Sequence, residues 1–75
     1  MTLREWCDAH PHANMKGLRL AGPTGDSFTL AHAWRVGTEE PPRVGMFLHE
    51  GNATSGVCRT VFTTWEAWMD DWTVR

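Results

Sequence analysis

The chain has 75 residues, 41% of them hydrophobic and 21% charged, with seven Lys and Arg against nine Asp and Glu for a net charge of −2. That length allows one domain with a small core, and the charge balance excludes a global basic footprint for nucleic acid. No run of about 18 apolar residues is present, so no segment is expected to span a membrane. The opening Met1 to Trp6 has no apolar signal segment, so a cytoplasmic location is expected, with Cys7 and Cys58 as free thiols.

In chain order, Thr2 and Glu5 are spaced as a capping box, and Leu3, Trp6 and Cys7 share one helical face. A short helix over about 3–9 is predicted, ending before Pro11. The opening residues resemble the short helix that begins excisionase-type winged-helix proteins. The basic second helix of that family does not follow, and the resemblance implies nothing more for this chain.

A polar stretch leads to a first strand over about 15–21, with Leu18 and Leu20 on one face and Arg19 on the other. Gly22-Pro23-Thr24-Gly25-Asp26 is dense in turn residues. A second strand over about 27–36 has the cleanest alternation in the chain. Phe28, Leu30, His32, Trp34 and Val36 fall on one face, and Thr29, Ala31, Ala33 and Arg35 on the other. A loop carrying Glu39-Glu40 and Pro41-Pro42 precedes a third strand over about 44–50. Gly51 to Gly56 reads as a turn, and Asn52-Ala53-Thr54 matches a glycosylation acceptor that a cytoplasmic chain would not use. A fourth strand covers about 57–62.

The chain closes on its strongest helical pattern, predicted over about 64–73. Trp65, Trp68, Met69 and Trp72 lie on one face, with Glu66, Asp70 and Asp71 away from it and Thr63 and Glu66 spaced as a capping box. The expected fold is a single α+β two-layer domain. An antiparallel three- to four-stranded β-meander packs against the C-terminal amphipathic helix, with the short N-terminal helix alongside. The indoles then cover the apolar sheet face as the lid of the core.

No phosphate-binding loop or nucleophile elbow is present, and Asp70 and Asp71, adjacent on a helix, diverge by about 100°. No enzyme activity and no cofactor are expected. Cys7, His10 and His12 make at most half of a zinc site, with Cys58 and His49 elsewhere in the chain. Zinc sites pair their ligands in knuckles, so a zinc-stapled domain is the least favoured reading.

By strand parity the second sheet face carries Arg19, Ala31, Ala33, Arg35, Phe47, His49 and Arg59. Arginine and aromatic residues are enriched at interfaces. The expected function is a small non-enzymatic protein–protein binding module, an accessory or inhibitor protein of phage or mobile-element type. Its expected partner surfaces are Arg19, Arg35, Phe47 and Arg59 on the sheet, Glu39 and Glu40 on the loop, and Glu66, Asp70 and Asp71 on the helix. A homodimer through the sheet face or an edge strand is open to it. The alternative is a nucleic-acid-binding regulator using Arg19, Arg35 and Arg59, although a single aromatic, Phe47, on that face does not support base stacking.

Overall fold

Helix α1 (Leu3–Ala9) starts where the capping box places it. Thr2 Oγ1 accepts the Glu5 N–H at 3.2 Å, and Glu5 Oε1 accepts the Thr2 N–H at 2.8 Å. The computed structural model describes residues 1–51 and 56–75, so the acceptor pattern Asn52-Ala53-Thr54 and most of the predicted turn around it lie outside the described residues. Four longer or intermediate strands follow in sequence, β1 (Arg19–Ala21), β2 (Ser27–Val36), β3 (Arg43–Glu50) and β4 (Cys58–Thr64). Helix α2 (Trp65–Asp71) comes next, and a two-residue strand β5 (Thr73–Val74) ends the chain. All neighbouring strands are antiparallel, in the spatial order β4-β3-β2-β1-β5. The expected α+β meander is present, extended by one strand.

Several helix and strand limits differ from the sequence pattern: β4 runs to Thr64 rather than about 62, α2 stops at Asp71 rather than about 73, and two further limits have plain local reasons. Only Arg19–Ala21 of the first apolar stretch is strand, because Met15 to Leu18 forms a turn closed by Leu18 N–H to Met15 C=O at 3.0 Å, with Gly17 at φ 87°. The cap of α2 is Thr64, whose Oγ1 accepts the Ala67 N–H at 3.2 Å, and not Thr63. Thr63 is still paired with Val44 in the sheet, so the helix cannot begin there.

The core lies between the sheet and the two helices. Leu3, Leu20, Phe28, Leu30, Val44, Met46, Leu48, Trp68, Met69 and Trp72 are buried together. Trp68, Met69 and Trp72 supply the indole and thioether lid, whereas Trp65 at its edge remains 36% exposed and meets Trp68 edge-on. The two helices are tied by Arg4, whose Nε donates to Asp70 Oδ1 at 2.7 Å.

This bridge sets an acid response. The hydrogen bond from Arg4 holds the Asp70 carboxyl below its ordinary value of 3.8, and hydrogen bonds at Thr2 hold Glu5 below 4.5. A carboxyl depressed by folding stabilises the native state above its unfolded pKa, and that contribution disappears as pH falls through the folded value. Thermal melts should therefore lose stability below about pH 4, the unfolded carboxylate range. Asp70→Asn should flatten that decline; an unchanged acid slope would show that the bridge is not coupled to folding.

One irregularity decides which side chains face water. The β2–β3 register shifts between Leu30 and His32: Leu30 faces Leu48, but His32 faces Phe47 and Ala33 faces Met46. Ala31 is the extra residue of a β-bulge. Because side chains alternate with period two, one inserted residue exchanges the faces of everything beyond it. Phe28 and Leu30 point to the core as predicted. His32, Trp34 and Val36, predicted on the core side, lie on the outer face instead, and Ala33 and Arg35 turn to the helix side. Arg59 also lies on the helix side, opposite Leu48 and beside Trp72.

Candidate functional site, the outer face of the sheet

The bulge assembles a surface that strict alternation would divide between two faces. Across the outer face the register stacks side chains in rows. His32, Phe47 and Thr60 form one, Trp34, Gly45 and Phe62 the next, and Thr29, His49 and Cys58 a third with Arg19 beyond Thr29. Trp34 stacks on His32 at 5.7 Å between ring centroids and receives the edge of Phe62 at 6.1 Å. Phe47 meets His49 edge-on at 6.2 Å. Phe47 and Phe62 are 39% and 55% exposed, large values for phenylalanine, so the cluster is solvated rather than a second core.

Gly45 makes the arrangement possible. A Cβ at this position would lie 2.5 Å from Trp34 Cε2 and 2.6 Å from Cζ2. The indole therefore lies flat over bare backbone in the middle of a central strand, where glycine marks a close approach. Trp34 and its glycine together form the floor of the patch.

The charges around this floor differ from the predicted pattern. Of the four sheet residues predicted to bind a partner, Arg19 and Phe47 are on the outer face. Arg35 is not: its guanidinium closes the loop that follows β2, donating to Glu40 Oε1 at 2.7 Å, Glu39 C=O at 3.1 Å and Gly37 C=O at 3.3 Å. Arg59 pairs with Glu50 at 2.6 Å on the helix side. Arg19 and Arg43 flank the aromatic patch and make no ion pair among the described residues. No Asp or Glu in the strands points to this face.

The remaining candidates separate. Glu39 and Glu40 belong to the Arg35 loop. On α2, Asp70 is bound to Arg4, while Glu66 and Asp71 are exposed without joining a larger acidic site.

The four weak metal candidates do not converge. Cys7 is turned to Met15, with 3.9 Å between the sulfurs, and burial pushes its thiol up, against thiolate formation. His10 stacks on Trp6. Cys58 lies on the outer face with its Sγ 3.3 Å from His49 Nδ1. Among the described residues, no group of three or more His, Cys, Asp or Glu is placed to hold a metal ion. None of their helices is long and apolar enough to cross a membrane.

Sequence reasoning missed Trp34, His32 and Phe62 as surface residues. The available signal was Gly45 in an otherwise apolar central strand. A concavity of about 230 Å³, lined by Met15, Ala33, Trp34, Arg35, Pro42, Arg43, Val44, Trp65 and Trp68, opens at the seam between α2 and the sheet. Arg35 and Arg43 contribute to its lining, which is otherwise almost wholly apolar, and no carboxylate, histidine or thiol joins them there. No protein-family model, curated protein or solved structure matches the chain.

Proposed function

We propose that this protein is a non-enzymatic binding module for another protein, and that its working surface is the outer sheet face of His32, Trp34, Phe47 and Phe62. The observation that carries this reading is the exposed aromatic cluster itself. Solvated aromatics held rigidly by a sheet lose little entropy on docking and are typical anchors of protein interfaces. With Arg19 and Arg43 at its margins and no carboxylate on its strands, the face suits a partner with an apolar centre and an acidic rim. An accessory or inhibitor role fits a small module of this kind.

The nucleic-acid alternative has one observation in its favour, since three aromatics in place of the single expected one would suit base stacking. Two of its three arginines, however, are bound to carboxylates away from this face, Arg35 to Glu40 in the loop after β2 and Arg59 to Glu50 on the helix side. The test is capture from the source cell by the wild-type chain and by Phe47→Asp, with folding of both checked by circular dichroism. A specific protein captured by the first and lost by at least about tenfold with the second is expected for an interface anchor. Capture unaffected by Phe47→Asp, or RNA or DNA binding that weakens steeply with salt, contradicts the reading.

A further inference from the structure

The two borders of the sheet are unlike. At one, the short β5 is covered further by the N-terminus: Thr2 bridges Thr73, and Val74 N–H donates to Met1 C=O at 2.8 Å. The overhang of β2 past β1 runs beside the Asn14–Lys16 turn. At the other border, β4 presents seven residues, Cys-Arg-Thr-Val-Phe-Thr-Thr, with no strand beyond it among the described residues. It has no proline, no lysine and no bulge, the devices that usually protect an edge, and its composition strongly favours strand.

The ladder defines which backbone groups this edge offers. Glu50 N–H donates to Val57 C=O at 3.0 Å, and Trp65 N–H to Pro42 C=O at 3.1 Å, so hydrogen-bonded pairs recur at every second residue between them. Arg59, Val61 and Thr63 therefore bond to β3. Cys58, Thr60 and Phe62 direct their N–H and C=O groups outward.

We infer that β4 pairs with β4 of a second copy of this chain, antiparallel about a two-fold axis at Val61, to make a continuous ten-stranded sheet. In this register Thr60 faces Phe62 of the second copy as a hydrogen-bonded pair on both sides of the axis, and Val61 faces Val61 as the non-hydrogen-bonded pair between them. The strand is self-complementary in charge as well: its one ionised residue, Arg59, falls opposite Thr63 and never opposite itself. A second copy thus satisfies the outward groups without a like-charge clash, and it joins the two aromatic faces through Phe62. A strand pair of this length buries less than the roughly 1,600 Å² of a standard interface, so the dimer is weak and concentration-dependent.

Sedimentation of the intact chain from micromolar to millimolar concentration should show a reversible monomer–dimer equilibrium. Thr60→Pro removes an outward N–H only, where proline is tolerated at an edge. It should raise the dissociation constant by at least about tenfold while the circular dichroism is unchanged. Val61→Cys should form an intermolecular disulfide between the two substituted positions, mapped by peptide mass spectrometry, because a non-hydrogen-bonded pair brings Cα atoms to about 4.5 Å. Phe47→Asp should leave self-association intact, which keeps this result separate from partner capture. A wild-type chain that stays monomeric throughout, a folded Thr60→Pro that dimerises as before, or cross-linking through Cys58 alone overturns the inference.

Discussion

Trp68→Ala is expected to destabilise the protein by about 3–5 kcal/mol, the cost of emptying a large buried aromatic site. Trp68 is 2% exposed and packs in the same cluster as Leu3, Leu20 and Met46, which joins α2 to the sheet. A domain of this size has a total stability on the order of 5 kcal/mol, so the variant should retain at most about 2 kcal/mol and unfold at much lower urea than the wild type. Trp68→Phe is the informative companion. The indole Nε1 is buried without a hydrogen-bond partner among the described residues. Phenylalanine fills much of the same space and carries no donor to leave unsatisfied. Its loss should be well below that of alanine. If both variants fold and melt like the wild type, α2 is not the lid of the core.

Gly45→Ala is the second large effect, and it separates the outer face from the core. The added methyl would overlap the Trp34 indole at 2.5 Å, so the ring must lift from the sheet and release its contacts with His32 and Phe62. Displacement of a packed ring by an added methyl costs about 1–3 kcal/mol. The expected signature is non-additivity: Trp34→Ala in the Gly45→Ala background should cost less than Trp34→Ala alone, with a coupling of about 0.5–3 kcal/mol. Strictly additive effects in urea denaturation would mean that the ring does not rest on Gly45. Partner capture should fall with Gly45→Ala although no partner-contacting side chain has been removed.

These two variants also mark how far the sequence could be read. The α2 stripe was legible because Trp65, Trp68, Met69 and Trp72 repeat with helical period, and packing against Leu20, Phe28 and Met46 agreed with that period. The capping box at Thr2 and Glu5 was legible for the same local reason. The outer face was not. Ala31-His32-Ala33-Trp34 continues the alternation of Phe28 and Leu30 without a visible break, and a bulge at Ala31 changes faces without changing the pattern. Alternation reports that neighbours point apart, not which side each takes after an insertion. Arg35 was read outward with its parity, whereas its backbone and carboxylate acceptors all lie in the loop that follows. Strand β5 is two residues long, too short for any periodic signal, and exists because β1 offers it an edge. On β2 the face prediction failed at one residue, and the placements of His32, Trp34 and Arg35 follow from it; Arg59 and Phe62 take their faces separately, from pairing with Leu48 and Gly45 on β3.

The functional reading rests on Trp34 lying on the outer face. Nuclear Overhauser contacts of the Trp34 indole test this most directly. Cross-peaks to the Phe62 ring and to the Gly45 α-protons, the latter shifted by the ring current of an indole lying over them, are the predicted result. Cross-peaks from Trp34 to Met46 or Trp68 in place of these would put the indole in the core, remove the bulge and leave the proposed binding surface without its centre.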